Sequence, residues 1–153
     1  MTKIEQALLL PSNRDKMLAI GKIIGRKIPA TDIFDNLNDY EKTFIYIDIL
    51  EGEVTNGGFE QFFFNSSGAF SHEILEAYHR INADFTADII YKAISLFPTL
   101  PVPKDLNIRR QVLLDNASIT SLWDDLDHQF AKSDENITEL LIDFIKRNIS
   151  YFN

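Results

Sequence analysis

Cysteine is absent from the 153 residues of this chain. Without cysteine the chain cannot form a disulfide framework, a catalytic thiol or a zinc site built on thiolates. Its few glycines do not follow the spacing of a phosphate-binding loop. No hydrophobic run approaches the length of a membrane span, and the short run at residues 7–10 stops at Pro11, too early for a signal peptide. We therefore expect a soluble, cytoplasmic protein with no membrane partner.

Basic residues are in the minority, with 15 lysines and arginines against 23 aspartates and glutamates, a net charge of −8. This balance argues against a direct nucleic-acid partner, because contact with the phosphate backbone requires a basic surface. The acids are concentrated in residues 30–91, net −10, and residues 111–145, net −7, whereas residues 1–29 carry +4. Such blocks occur on ordinary solvated surfaces, and they also suit an acidic face for a basic protein partner.

The residues proposed for that face are aspartates and glutamates from both acidic stretches. Asp124 and Asp125 are expected to point outward, because Trp123 and Leu126 occupy the opposite side of their helix. The predicted protein-binding acids are Asp35, Asp39, Glu41, Asp48, Glu53, Asp124, Asp125 and Asp127.

The dominant hydrophobic period is helical, which predicts a single all-α domain over residues 1–153. A first helix is expected over residues 13–28, closed by Pro29. A second begins at Asn38 with Glu41 completing a capping box, and it is apolar on most sides, which is typical of a central helix. Three further helices are predicted. The first has Ser71 as its N-cap, and the second covers residues 84–97 with Phe85 on its inner face. The third has a buried stripe that includes Leu122 and Trp123.

The last helix is expected to begin at Asn136, with Glu139 completing a second capping box.

A break in the central helix is expected at Asn56-Gly57-Gly58, because glycine and asparagine accept left-handed backbone angles. A short helical turn should follow over residues 59–64, with Phe59, Phe62 and Phe63 on one side. Glu60, Gln61 and Asn65 are left to cap backbone groups or to line a cleft, and the sequence leaves open which of these they do.

A metal site is the alternative from a different functional class. His72, Glu76 and His79 share one helix face, and Glu76 with His79 has the Glu-x-x-His spacing of di-iron helical bundles. Those sites require a second such motif, which this sequence lacks. We therefore predict no metal, no cofactor and no catalytic residue, with a metal-dependent enzyme at these three residues as the alternative.

The segment after the central helix closely resembles the signature of a bacterial domain family of otherwise unknown function. The pattern is Val-x-Asn-Gly-Gly-Phe-x-Gln, two aromatics, and then x-Asn-x-x-Gly. Leu126-Asp127 with Phe130 resembles a later element of the family, and residues 140–148 resemble its closing helix, so the resemblance covers most of the chain after residue 35, over 36–153. The signature residues after Val54 are Asn56, Gly57, Gly58, Phe59, Gln61, Phe62, Phe63, Asn65 and Gly68.

The best-understood representative of that family is an acidic DNA-mimic protein. The resemblance implies an all-helical fold and, in at least one branch, a non-catalytic function in which an acidic surface imitates DNA phosphates and occupies a DNA-binding protein. We therefore predict a non-enzymatic acidic protein that binds a basic partner. An immunity-type protein that neutralises a toxin is the alternative within this class, and a homodimer is left open.

Overall fold

The structure, a computed structural model that describes residues 1–152, consists of helices and connections and has no strand in that range. The all-α prediction is confirmed. The α-helices of the described chain are α1 (Lys3–Ala7), α2 (Asn13–Gly25), α3 (Asp39–Phe64), α4 (Ser71–Arg80), α5 (Asp84–Ser95), α6 (Leu106–Asp115), α7 (Ser118–Lys132) and α8 (Ile137–Arg147), with 3₁₀ turns at Ser66–Phe70 and Ile149–Tyr151. None of these helices is both long enough and apolar enough to cross a membrane.

The chain divides into two compact units. Unit 1 contains Met1–Ile45 and the C-terminal stretch from Asn136, and unit 2 contains Tyr46–Glu135. Helix α3 therefore begins in unit 1 and continues in unit 2. The prediction of a single domain stays a prediction.

Unit 1 contains α1, α2, the start of α3 and α8. Helix α1 was not predicted from the hydrophobic period because it has only five residues, but Thr2 and Glu5 form a capping box at its start. Helix α2 ends at Gly25 rather than near residue 28 as expected, so Pro29 lies beyond its end instead of closing it. The core of this unit includes Ile4, Ile20, Ile24, Phe44, Leu141, Ile145 and Phe152, all at most 2% exposed.

The start of α3 forms as the sequence predicted. The Glu41 backbone N–H donates to Asn38 Oδ1 over 2.9 Å, and the Asn38 N–H donates to Glu41 Oε1 over 3.1 Å. These reciprocal bonds are a capping box, which satisfies two donors that the first helical turn leaves unpaired. At α8, Asn136 accepts from the Glu139 N–H over 3.1 Å, so the predicted N-cap is confirmed there as well.

Unit 2 contains the rest of α3 and α4 to α7 around an aromatic core. Trp123 is fully buried, stacks on Phe63 with ring centroids 4.7 Å apart, and donates its indole N–H to the Ala93 carbonyl over 3.0 Å. Helix α6 was not predicted, because Ile108 and Leu114 are exposed while its buried face includes Arg109. A pattern of apolar residues cannot identify a helix that buries an arginine.

Three details of the predicted helices are wrong. Ser71 is the first residue of α4 and not its N-cap, and its buried hydroxyl has no partner within residues 1–152. Phe85 is 57% exposed, whereas Thr86, Ala87, Ile89 and Ile90 form the buried side of α5. The Phe85 and Thr86 N–H groups are capped by the Glu135 carboxylate. Leu122 is 55% exposed, so the buried stripe of α7 runs through Ile119, Trp123 and Leu126 instead.

Candidate functional site

The centre of unit 2 is the kink in α3, where Gly58 adopts φ 71° and ψ −175°. This conformation is essentially restricted to glycine. A Cβ atom on Gly58 would also lie 2.3 Å from Asp127 Oδ2. The helix restarts after the kink, and Asp127 Oδ1 accepts the Phe59 backbone N–H over 2.9 Å. A carboxylate from α7 therefore caps the positive end of the restarted helical segment.

The other end of this segment is held by Arg109, a fully buried side chain of α6. Its Nε donates to the Phe63 carbonyl over 2.7 Å, and its Nη2 donates to the Asn65 carbonyl over 2.7 Å. Its Nη1 donates to the carbonyls of Pro103 and Lys104 over 2.9 and 3.1 Å. A cation at this position complements the negative end of the helix dipole.

Gly68 makes room for the Arg109 guanidinium. A Cβ atom on Gly68 would lie 2.8 Å from Arg109 Nε and 3.0 Å from the Phe62 carbonyl oxygen. The burial of Arg109 lowers its pKa, but an arginine remains protonated at neutral pH. The short segment after the kink is thus capped by opposite charges at its two ends.

The aromatic residues of the signature form the core beneath this segment. Phe59, Phe62 and Phe63 are fully buried, which confirms that they share the inner side. Phe59 meets the ring of Phe130 edge to face with centroids 5.9 Å apart. The later element at residues 126–130 therefore supplies both the Asp127 cap and an aromatic partner for the signature.

The polar residues of the signature lie on the opposite side and form a hydrogen-bonded chain. Asn56 Nδ2 donates to Gln61 Oε1 over 3.1 Å. Glu53 Oε2 accepts from Gln61 Nε2 over 2.8 Å and from Asn65 Nδ2 over 3.1 Å. A Cβ atom on Gly57 would lie 2.1 Å from Gln61 Oε1, so glycine is needed for this arrangement.

An open groove of about 310 Å³ lies at this polar side and is lined by Gly57, Glu60, Gln61, Phe64 and Asn65. Phe64 is 39% exposed, and the Arg110 guanidinium lies over its ring at 4.5 Å from the centroid. The signature therefore has two roles in the fold: its phenylalanines build the core and its amides line the groove.

Carboxylates cluster beside the kink, and we call Glu60, Asp124, Asp125 and Asp127 the acidic patch. Burial raises the pKa of Asp127, and the charges of Asp124 and Glu60 raise it further, while the Phe59 N–H and His128 lower it. Asp124 and Glu60 thus each lie close enough to Asp127 to interact with it. Asp124 and Asp125 are exposed as predicted, whereas Glu60 was not among the predicted acids.

The other predicted acids differ in their exposure and in their partners. Glu41 is only 3% exposed, pairs with Lys27 and completes the α3 capping box, so its prediction as a surface binding residue is wrong. Asp35 and Asp39 are exposed residues of unit 1. Glu53 is half-buried and held by the two amides of the groove.

Asp48 lies near a second acidic residue of α3, Glu51, which receives a hydrogen bond of 2.9 Å from the Tyr78 hydroxyl. Burial raises the pKa of Glu51, with a smaller contribution from the charge of Asp48. Partial desolvation also raises the pKa of Asp48, which is otherwise exposed. Tyr78 is fully buried, and its burial beside Glu51 raises its pKa well above the usual value.

His72, Glu76 and His79 are engaged separately. His72 Nε2 accepts the Val102 N–H over 3.0 Å, and His79 Nδ1 lies 3.4 Å from Asp84 Oδ1. Glu76 is exposed. Within residues 1–152, no three or more histidines, aspartates or glutamates are grouped so that they could hold a metal ion.

Sequence reasoning missed Arg109 and Glu60. Arg109 stands next to Arg110 in the chain, and nothing in the local sequence indicates that one is buried and the other is not. Glu60 lies within the signature, so its spacing from the glycine pair was a usable signal.

A comparison with family models matches residues 35–148 to the family described as DMP19-like protein. No curated protein and no solved structure matches the chain. The match covers both the glycine-phenylalanine signature and the element at residues 126–130, which the structure joins through Asp127 and Phe130. It also confirms the resemblance to a family known for a DNA mimic. The chain therefore belongs to the DMP19-like protein family.

Proposed function

We propose that this chain is a non-enzymatic cytoplasmic binding protein whose acidic patch occupies the DNA-binding surface of a basic protein. The proposal rests on the cluster of Glu60, Asp124 and Asp127 beside the kink. Asp125 follows Asp124 on α7. Family membership supports the same function, since the family is known for DNA mimicry.

The charges of the patch suit this role. Neither Glu60 nor Asp124 has an ion pair with another residue of the described chain 1–152. A duplex presents about one negative charge per 1.7 Å of its axis, so a basic DNA-binding surface is arranged to meet closely spaced anions. Clustered carboxylates on rigid helices offer such anions without the sugar-phosphate chain.

The groove beside the patch suits a cationic side chain of the partner. Glu60 belongs to both features, and the groove adds the exposed edge of Phe64 and the amides of Gln61 and Asn65. A guanidinium can pair with the carboxylate and also donate to an amide carbonyl. The lining consists of charge, amide and ring groups, a set that suits the binding of a cationic side chain.

The test is affinity capture from the cytoplasm of the source cell, followed by binding measurements with the purified partner. Asp124→Lys with Asp125→Lys should weaken binding by about tenfold or more, since both charges are reversed at the contact. Asp134→Lys with Asp143→Lys is the matched control, because it makes the same charge change at two other exposed aspartates. Equal weakening by both pairs would indicate only a net-charge effect and would contradict the proposal.

Competition with a short DNA duplex identifies the partner class. For a DNA mimic, the duplex and this chain displace each other from the partner. A captured toxic enzyme whose catalytic activity the chain blocks, and which the duplex does not displace, would instead support the immunity-type alternative.

A further inference from the structure

A second open groove, of about 490 Å³, lies in unit 1 between α1 with its following turn and α2. Its apolar residues include Ala7, Leu10 and Ile23, and its cations are Lys3, Lys22 and Arg26. We call it the N-terminal groove. This combination of apolar and basic residues differs from the lining of the groove at the kink, where the charged residue is the acid Glu60.

The three cations of this groove are free to meet a ligand. Lys3, Lys22 and Arg26 are exposed, and none of them has an ion pair or side-chain hydrogen bond to another residue within 1–152. Their nearby neighbours include Leu10, which is 37% exposed. A lining that combines apolar residues with unpaired cations is complementary to a ligand that is apolar on one side and acidic at its margins.

The groove lies outside the part of the chain that defines the family. The family match covers residues 35–148, whereas all the lining residues lie between positions 3 and 26. Residues 1–34 carry six bases and three acids, in contrast to nine bases and twenty acids over 35–148. This groove is therefore independent of the acidic patch and of the function proposed for it.

We propose that the N-terminal groove binds an acidic amphipathic helix of a partner protein. A cleft between two helices accepts the ridge of a third helix, with apolar side chains at positions i, i+3, i+4 and i+7 as anchors. Lys22 lies in the last turn of α2, and Arg26, four residues later, is its C-cap with helical backbone angles. The two cations can therefore pair with carboxylates on successive turns of the bound helix.

The charge distribution favours a helix over an extended anionic surface. A bilayer or a nucleic acid would expose its many anions to the whole chain, whose net charge is −8. A single helix contacts only the basic N-terminal region, and charges beyond a Debye length of about 8 Å are screened at physiological salt. A single acidic helix is therefore attracted by the basic N-terminal residues and is not repelled by the acidic residues of the rest of the chain.

The experiment uses the full chain and a fluorescein-labelled synthetic helix with leucines on one face and glutamates at its margins. Fluorescence anisotropy should give saturable binding that weakens with salt. Lys22→Glu with Arg26→Glu should weaken it by about tenfold or more. Arg14→Glu with Lys16→Glu is the matched control, because it makes the same charge change on α2 outside the groove lining. Circular dichroism checks that all variants remain helical.

Five results would overturn the proposal. The acidic helix could fail to bind, or a lysine-substituted version of it could bind equally well. The two charge-reversal pairs could have the same effect. Anionic phosphatidylserine vesicles could bind the chain in a manner lost in the Lys22→Glu, Arg26→Glu variant, which would make the groove a lipid site. Sedimentation showing a peptide-free dimer that this variant dissociates would make the occupant a second copy.

Discussion

Gly58 is the residue on which the kink depends, for two separate reasons. Its φ of 71° with ψ near 180° is accessible almost only to glycine, and its Cα faces the Asp127 carboxylate. Any side chain there strains the backbone and displaces the group that caps Phe59. Part of the need for glycine thus comes from a contact between two helices that are distant in sequence.

Gly58→Ala should lower the free energy of unfolding by about 2–4 kcal/mol, because backbone strain adds to the loss of the Asp127 cap. Urea denaturation followed by circular dichroism measures this change. Gly52→Ala is the control, since a Cβ atom there would meet nothing within 4 Å and the residue is an exposed helical position. That variant should be neutral or more stable by up to about 1 kcal/mol. Equal effects at both glycines would contradict the account of the kink.

Burial of the charged Glu51 carboxylate is unfavourable, and its hydrogen bond from Tyr78 does not fully offset this desolvation. Its carboxyl is partly buried, and burial raises its pKa despite the bond from Tyr78. A carboxyl with a raised pKa in the folded state binds protons more readily there than when unfolded. Its contribution to stability is therefore full below the unfolded pKa of about 4.3 and is lost as the pH rises through the folded value.

Glu51→Gln should consequently stabilise the chain at neutral pH, because the amide removes the desolvated charge and its carbonyl can still accept from Tyr78. The gain should shrink as the pH falls through the raised folded pKa and disappear below about 4.3, where the wild-type carboxyl is neutral in both the folded and the unfolded state. Urea unfolding across this pH range provides the measurement. A loss of stability at pH 7 would mean that the charged hydrogen bond outweighs the desolvation of Glu51.

At the scale of elements, the segment after the kink is a short helix fixed by charges from its neighbours. It runs only from Phe59 to Phe64, a length at which an isolated helix is unstable in water. Asp127 of α7 and Arg109 of α6 cap its two ends, and the buried phenylalanines anchor its inner face. The same packing holds Gln61 and Asn65 at the groove.

Arg109→Met should cost about 3 kcal/mol or more, because it leaves several buried carbonyls without donors. Chemical denaturation measures the loss, and hydrogen exchange should show weaker protection at residues 62–65. Arg110→Met is the control at the next position, where the side chain is more exposed and makes one hydrogen bond, to the Phe64 carbonyl. Its cost should remain below about 1 kcal/mol. Similar losses for the two variants would show that the buried guanidinium has no special role.

At the scale of the whole molecule, charge is distributed unevenly along the chain. The family-matched residues 35–148 carry most of the acids, while the residues before them are net basic. Long-range attraction from such an arrangement acts mainly on the rate of association and is reduced by salt. The two proposed surfaces should therefore respond to salt independently.

Association of the chain with its captured basic partner should slow by about tenfold or more between low and high salt, with a smaller change in the dissociation rate. Stopped-flow or surface plasmon resonance measurements at several salt concentrations provide the two rates. Lys22→Glu with Arg26→Glu should leave this association unchanged or slightly faster. An association rate that does not depend on salt would argue against electrostatic capture by the acidic patch.

The sequence by itself determined the helical class, the capping box at Asn38, the N-cap at Asn136, the break at the glycine pair and the outward direction of Asp124 and Asp125. These features depend on local rules, namely the helical period of apolar residues, side-chain bonds to neighbouring N–H groups and the backbone freedom of glycine. The family signature was visible for the same reason, because its residues are contiguous in the chain.

Only the tertiary structure decided which charges are buried and which lie together. Glu41 and Arg109 look like surface residues in the sequence, yet one pairs with Lys27 and the other caps the kinked segment from a different helix. Glu60 of α3 and Asp124 of α7 both come close enough to Asp127 to raise its pKa. The burial of a charge depends on partners distant in the chain, since only a paired or hydrogen-bonded charge can leave water at tolerable cost, and no local pattern records those partners.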